Sequence, residues 1–103
     1  MLCQKLKFVF EKKYMPTVHL LIKGKVQGVF YRATAREVAE KLQLTGWIKN
    51  TKEGNVEALA TGSDQQLQQF INWCKQGPSK AIVTDVEITA KDEEPFNVFK
   101  VLR

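Results

Sequence analysis

The chain of 103 residues is short enough for one domain, and 44% hydrophobic with 26% charged residues is typical of a globular protein with a core. No apolar run is long enough to span a bilayer, and the one within residues 1–14 is too short and broken for a secretory signal, so we expect a cytoplasmic protein. The net charge is +5, but residues 1–15 hold four of the 16 basic residues and one of the 11 acidic ones. The remaining excess is too small to predict nucleic-acid binding and would favour a small anionic substrate.

Residues 1–15 lie outside the pattern that governs the rest of the chain. Because Met15-Pro16-Thr17 resembles a second start, we predict an N-terminal extension over 1–15, either disordered or left by an alternative start. The predicted domain then covers 16–103. A competing interpretation is that Phe8 and Phe10 add an edge strand, and the sequence does not decide between them.

The first half of the domain predicts a strand, a helix and a hairpin. Val18–Ile22 has the alternation of a central strand, and Ala33–Leu42 has the one-face spacing of a helix. Gly46–Asn50 and Asn55–Ala60 flank a turn and predict a hairpin. Trp47, on its first arm, is expected in the core.

The second half predicts a helix and two strands. Ser63 and Gln66 have the spacing of a capping box, and Gly77-Pro78 ends the helix. The run 81–90 predicts a strand whose apolar side holds Ile82, Val86 and Ile88. The run 96–102 predicts the last strand, and its slipped apolar phase indicates a bulge or two partly covered faces.

This order of elements predicts an α+β fold of the ferredoxin-like class. It is the split βαβ plan, βαββαβ with one strand added at the end. We expect a two-layer sandwich, with an antiparallel sheet and both helices on one face, because each helix has one apolar side.

Few side chains of the chain suggest metal or nucleophilic chemistry. Cys3 and Cys74 show neither metal-ligand nor disulfide spacing, and Cys74 suits a buried position on its helix. His19 is the only histidine and has no acid or cysteine partner close in sequence, so a structural or exposed position is expected. We therefore predict no metal site.

The stretch Gly24-Lys25-Val26-Gln27-Gly28-Val29-Phe30-Tyr31-Arg32 joins the first strand to the first helix. Helix starts present unpaired N–H groups and a positive dipole end, and glycine allows the main chain to approach a ligand closely. The guanidinium of Arg32 could hold two phosphate oxygens at once. The pattern predicts an anion cradle, although an ordinary strand-to-helix turn with a surface arginine remains an alternative.

Two separated signatures resemble the acylphosphatase family. The first is Gly24-x-Val26-Gln27-Gly28-Val29-x-Tyr31-Arg32, and the second is Gly46-Trp47-Ile48-x-Asn50 continued by Gly54-x-Val56-Glu57. The later run Gly77-Pro78-x-x-Ala81-x-Val83 is similar to the family as well. The resemblance covers 16–103, and Tyr31 stands where the family more often has phenylalanine.

The resemblance implies hydrolysis of acyl phosphates to a carboxylate and inorganic phosphate. The matching residues imply Arg32 and Asn50 as catalytic, with Arg32 and the loop amides on the phosphoryl group and Asn50 on the attacking water. The implied substrate-binding residues are Gly24, Gln27, Gly28, Val29, Phe30, Tyr31 and Arg32. It implies no metal or organic cofactor, and inorganic phosphate as product and competitor. We expect a monomer with no nucleic-acid or membrane partner.

The chemistry of an acyl phosphate explains why so few groups would suffice. Its leaving group is a carboxylate with a pKa of about 4, so no strong general acid is needed. Phosphoryl transfer needs positioning and stabilisation of charge on the phosphoryl oxygens. Asn50 can hold a water but is not basic, and the water's proton could pass to a substrate oxygen. Thr51 could brace Asn50 or serve the turn.

Two other function classes remain open from the sequence. RNA-recognition modules share the split βαβ plan, but they stack bases on aromatic side chains of the central strands, and Val18–Ile22 and Val56–Ala60 hold none. A regulatory domain that holds an anion without turning it over is the stronger alternative. A cradle serves either purpose, and only Asn50 favours catalysis.

Overall fold

The structure, a computed structural model, describes residues 15–103, so the prediction for residues 1–14 lies outside the described residues. The elements are β1 (Thr17–Lys25), α1 (Tyr31–Lys41), β2 (Thr45–Asn50), β3 (Val56–Thr61), α2 (Asp64–Gln76), β4 (Ile82–Lys91) and β5 (Phe99–Val101). Their order confirms the predicted sequence of strands and helices. None of the helices in this part of the chain is long and apolar enough to cross a membrane.

The five strands form one sheet in the order β4-β1-β3-β2-β5. Both helices pack on the same face: α1 contacts β2 and β5, and α2 contacts β4 and β1. This confirms the two-layer ferredoxin-like fold. The sheet is mixed rather than wholly antiparallel, because β5 pairs with β2 in parallel while the other pairs are antiparallel.

The hydrophobic core lies between the sheet and the two helices. Alternate residues of the central strands point into it, among them Leu20 and Ile22 of β1 and Val56 of β3, all fully buried. Helix α2 begins with the predicted capping box, in which Ser63 Oγ accepts from Gln66 N at 3.2 Å and Gln66 Oε1 accepts from Ser63 N at 3.1 Å.

A bulge near the start of β4 overturns one predicted orientation. The β1–β4 register runs from Lys23 opposite Asp85 to Gly24 opposite Val83, so Thr84 is the extra residue. A bulge reverses the face of the sheet to which side chains point on one side of it relative to the other. Ile82 is therefore 60% exposed instead of sharing the inner side with Val86, and Val83 packs on the core in its place.

Two further expectations fail for reasons of sheet geometry. The last strand covers only Phe99–Val101, which pair with Gly46–Ile48 of β2. Before them, Val98 contributes only its carbonyl oxygen, which accepts from Gly46 N at 2.9 Å. Trp47 is not in the core: in β2 the side chain of Ile48 faces the helices, so that of Trp47 points to the opposite face. There the Lys49 Nζ lies 5.4 Å from the centroid of the Trp47 ring.

The face of the sheet away from the helices carries polar side chains on its central strands. His19 of β1 and Glu57 of β3 meet there at 2.6 Å between Nε2 and Oε2. Lys23 Nζ contacts Glu87 Oε2 at 2.7 Å, and this contact raises the pKa of Lys23. His19 thus has a structural partner, on the side of the sheet opposite to the helices.

Candidate active site

The segment between β1 and α1 forms a tight loop over the end of the sheet. Val26 and Val29 are buried and anchor it in the core. Between and beyond them, Gly28 (φ 74°) and Phe30 (φ 64°) have left-handed backbone conformations. Such turns direct successive N–H groups toward a concave surface, which is a common way to bind an anion.

Helix α1 begins directly in this loop and leaves its first N–H groups free of helical partners. Phe30 occupies the N-cap position, and its side chain caps nothing. The first helical bond runs from Thr34 N to Phe30 O at 3.1 Å. The N–H groups of Tyr31, Arg32 and Ala33 therefore have no acceptor within the helix and can serve a ligand.

Arg32, in the first turn of α1, is tied to the end of the chain. Its Nη1 donates to the carbonyl oxygen of Leu102 at 3.0 Å, and Leu102 N donates to Ile48 O at 2.8 Å. This route holds the guanidinium beside β2 through main-chain groups. The remaining N–H donors of the guanidinium are left for an anion.

Asn50 is the last residue of β2, and its side chain has an unsatisfied acceptor. Its Oδ1 is buried and has no hydrogen-bond partner among the described residues. A buried carbonyl without a donor costs on the order of 1–3 kcal/mol. Such a group calls for an explanation, and a bound water or ligand that donates to it would provide one.

Gln27 connects the cradle loop to the β2–β3 hairpin that follows Asn50. Its Nε2 donates to Thr51 O at 2.8 Å and to Asn55 O at 2.7 Å. The hydroxyl of Thr51 accepts from Asn55 N at 3.1 Å, so Thr51 serves the turn, and no bond to the Asn50 side chain is formed. The loop and the hairpin are thereby fixed relative to each other.

These parts surround a cavity of about 690 Å³, within the usual size of a small-ligand site. Five of the residues predicted for the site line it: Gly28, Phe30, Tyr31, Arg32 and Asn50. Arg32 and Asn50 thus line one cavity. Gly24, Gln27 and Val29 do not line it.

Gly24 has a structural reason to be glycine. It lies in β1 at φ 125°, and a Cβ on it would come within 2.1 Å of the carbonyl oxygen of Ile82 on the bulged strand. A side chain would displace β4 or β1. Gly24 therefore shapes the sheet edge under the loop, and its predicted contact with substrate is not supported by its position.

The ring of Tyr31 points away from the cavity opening and into the core. Its hydroxyl donates to Cys74 O at 2.7 Å, and its ring centroid lies 5.2 Å from that of Trp73. Burial raises the pKa of Tyr31, and it raises the pKa of the Cys74 thiol to about 12. Cys74 is the buried thiol that its helical position predicts, and Tyr31 offers the site its main chain.

Six further residues line the cavity that were not among the predicted site residues. They are Val26, Ala33, Arg36, Glu37, Glu40 and Val101. A helical repeat of three and four residues from Arg32 would have found Arg36 and Glu40 on the same side of α1. Val101 lies in β5, far from the loop in sequence, and no local sequence pattern predicts that it lines the cavity.

The charges of this lining are mixed. Arg36 Nε lies 3.2 Å from Glu40 Oε2, one turn apart on the exposed surface of α1. Arg32 faces no carboxylate in any ion pair of the described residues. Residues 15–103 contain no group of three potential metal-ligating side chains. The arrangement offers an anion one guanidinium, several N–H groups and one amide.

This fold and candidate site define the class of protein: a two-layer α+β sandwich with a loop at a strand-to-helix junction that offers N–H groups to an anion. A family model described as acylphosphatase matches residues 18–101. The chain belongs to the acylphosphatase family.

Solved and curated relatives agree with this assignment. An acylphosphatase of Methylococcus capsulatus is 45% identical over 91 residues, which cover 86% of this chain and 98% of that protein. The structure of an acylphosphatase from Coxiella burnetii matches with a TM-score of 0.83 and 39% identity, covering 85% of this chain and 93% of that one. The acylphosphatase of Bacillus subtilis gives a TM-score of 0.83 at 33% identity, covering 87% and 100%.

Proposed function

We propose that the cradle holds the phosphoryl group of an acyl phosphate and that Asn50 orients the water that attacks it. The family makes this chain an acylphosphatase, an enzyme that hydrolyses acyl phosphates to a carboxylate and inorganic phosphate. The roles of the individual residues are our proposal. The alternative of a non-catalytic anion-binding domain is not favoured.

Arg32 and the N–H groups at the start of α1 would bind the phosphoryl oxygens and stabilise their negative charge. Three equatorial oxygens share that charge in the transition state, and a guanidinium with preorganised amides can meet them together. The bond from Arg32 to Leu102 O fixes the guanidinium before substrate arrives. Preorganised donors of this kind stabilise charge without reorganising during the reaction.

The unpaired Oδ1 of Asn50, in the same cavity as Arg32, is the observation that carries the proposal. A water that donates one hydrogen to this buried oxygen would be held with a lone pair free for phosphorus. The amide is not basic, so we assign the proton of the water to a phosphoryl oxygen. The carboxylate then leaves without protonation, because its conjugate acid has a pKa of about 4.

The remaining predicted binding residues act in two ways. Gly28, Phe30 and Tyr31 line the cavity, and the first two give the loop its concave shape. The other three support the loop without lining the cavity. Gly24 allows β1 and β4 to approach closely, Gln27 binds the loop to the hairpin, and Val29 anchors it in the core. We propose these three as positioning residues.

An Asn50→Ala variant tests the assignment of the water. We expect kcat for benzoyl phosphate to fall by about 10² to 10³, the usual effect of losing one aligned polar group. Inhibition by inorganic phosphate should change much less, because Arg32 and the loop amides remain. Asn72→Ala, on the exposed side of α2, is the matched control. An Asn50→Ala enzyme with a wild-type kcat would remove the proposed role.

We also infer a monomeric cytoplasmic enzyme that acts on a small-molecule acyl phosphate, with inorganic phosphate as product and competitor and with no nucleic-acid partner. The cavity is complete within one chain, which supports the monomer. Light scattering would test it, with a mass near 11.8 kDa expected. A dimer at working concentration would contradict it.

A further inference from the structure

The direction of the reaction determines where the acyl group lies. In an in-line displacement the attacking water and the leaving oxygen lie on opposite sides of phosphorus. The proposed water site is at the buried Oδ1 of Asn50, so the leaving carboxylate must point toward the cavity mouth. The mouth is lined by the exposed residues of the cavity, chiefly Phe30, Ala33, Arg36 and Glu37.

Phe30 is unusual at this mouth because it breaks three local preferences at once. Its backbone is left-handed at φ 64°, where glycine and asparagine are favoured. It occupies a helix N-cap without capping the helix, and its side chain is 77% exposed. No packing of the ring within the described chain offsets the unfavourable backbone, the missing cap and the exposed apolar surface. Such conflicts between a residue and its local structure are expected at functional positions.

At the mouth, Arg36, Glu37 and Glu40 of α1 carry one positive and two negative charges, while Arg32 is assigned to the phosphoryl group. Arg36 is engaged by Glu40 at 3.2 Å, and Glu37 stands beside them on α1 with no cationic partner among the ion pairs of the described residues. An acyl group with its own carboxylate would meet this excess of negative charge. An uncharged acyl group would meet the ring of Phe30 and the methyl group of Ala33.

We propose that Phe30 forms the acyl-binding wall of the site and selects acyl phosphates with an uncharged aromatic or apolar acyl group. This inference rests on the proposed function, since it uses the in-line geometry set by Asn50. An aromatic acyl group can stack on the exposed ring, and the contact would cover apolar surface of both partners. The bound acyl group would thereby cover the ring of Phe30, which the rest of the chain leaves exposed.

The experiment compares three substrates by kcat/KM at low ionic strength: benzoyl phosphate, acetyl phosphate and 4-carboxybenzoyl phosphate. Phe30→Asn removes the ring and keeps a residue suited to the left-handed N-cap, so folding is protected. Phe30→Tyr keeps the ring. Ile82→Thr, which changes a 60% exposed apolar side chain on β4, is the control for loss of surface hydrophobicity.

We expect the wild type to prefer benzoyl phosphate over both other substrates. Phe30→Asn should lower the ratio of benzoyl to acetyl phosphate roughly three- to tenfold, as expected from one aromatic contact, and Phe30→Tyr should keep it within about twofold. Glu37→Gln should raise the relative rate of the carboxylated substrate.

Two results would overturn the inference. A ratio of benzoyl to acetyl phosphate that is unchanged in Phe30→Asn, whatever the loss in absolute rate, would mean that the ring does not contact the acyl group. A wild-type preference for 4-carboxybenzoyl phosphate would mean that Arg36 attracts the acyl group at the mouth. Either result, with a wild type that turns over the uncharged substrates, rejects this inference alone. A wild type inactive on every acyl phosphate rejects the proposed function as well.

Discussion

Replacing Arg32 separates the charge of the guanidinium from its geometry. Arg32→Gln removes the positive charge and most of the donors, while Arg32→Lys keeps a point charge without the planar fork. The structure shows why the fork matters, because one Nη already donates to Leu102 O and the other donors must reach the ligand at the same time. A lysine ammonium cannot span both positions from a single nitrogen.

The expected losses follow from what each variant leaves in place. Removing one preorganised donor to developing charge costs about 10²–10³ in rate, so we expect Arg32→Gln to lower kcat/KM by at least about 10³. Arg32→Lys should lose at least about 10². The hydrogen bond from Arg32 to Leu102 O is charge-assisted but only half-buried, so solvent weakens it, and we take its contribution to stability as about 1 kcal/mol. Losing it should lower the Tm by roughly 4–8 °C.

The assay is phosphate release from benzoyl phosphate, followed beside far-UV circular dichroism and thermal melting of each variant. Lys41→Gln is the control, because it removes an exposed positive charge from the same helix. Activity of Arg32→Gln within tenfold of wild type, in a folded protein, would refute the role of the guanidinium. Recovery of full activity by Arg32→Lys would refute the argument from fork geometry.

Three other predictions test how the site is supported. Gln27→Leu should lower kcat by about tenfold to a hundredfold with a smaller change in KM, since it releases the loop from the hairpin; a pure rise in KM would contradict this. Gly24→Ala should lower the Tm by at least about 5 °C in a melting experiment, because its Cβ would lie 2.1 Å from Ile82 O; an unchanged Tm would contradict it. The free energy of unfolding should fall between about pH 9 and 12, with Cys74 contributing up to about 1.4 kcal/mol per pH unit, because the unfolded thiol ionises first. In urea titrations Cys74→Ala should reduce that slope and leave the part due to Tyr31, whose pKa burial also raises; an equal slope would refute the reasoning.

Much of the fold could be predicted because local signals agreed with one another. Helix α1 and helix α2 each had an apolar face, and the Ser63 capping box placed the start of α2 within one residue. The order of strands and helices then admitted few two-layer arrangements. The parallel pairing of β5 was not predictable in the same way, because a short final strand is positioned by contacts with β2 rather than by its own pattern.

The errors came from positions where the neighbouring strand decides the outcome. The extra residue Thr84 turns Ile82 outward, and no feature of the run 81–90 reveals which residue will be unpaired. Trp47 is different, because its error was avoidable. Once Asn50 is assigned to the site, Ile48 shares its face of β2 by alternation, and Trp47 must point to the other face.

The candidate site shows the same division between motif and support. Arg32 and Asn50 were recognisable as residue types at specific places, whereas the main-chain acceptor of Arg32 comes from Leu102, seventy positions away. Gln27 looked like a ligand residue by its place in the motif, and its amide instead reaches two carbonyl groups of the hairpin. Side-chain direction decides such cases, and the spacing of a motif does not contain it.

The two halves of the site are joined by hydrogen bonds to carbonyl oxygens, and this has a consequence for how the site responds to mutation. Arg32 reaches β2 through Leu102 and Ile48, and Gln27 reaches the hairpin through Thr51 and Asn55. Substituting the acceptor residues therefore leaves these bonds possible, because the carbonyl belongs to the main chain. Substituting the two donors removes them. Within this network, sensitivity to side-chain replacement should concentrate in the cradle segment, even though the contacts extend over both ends of the domain.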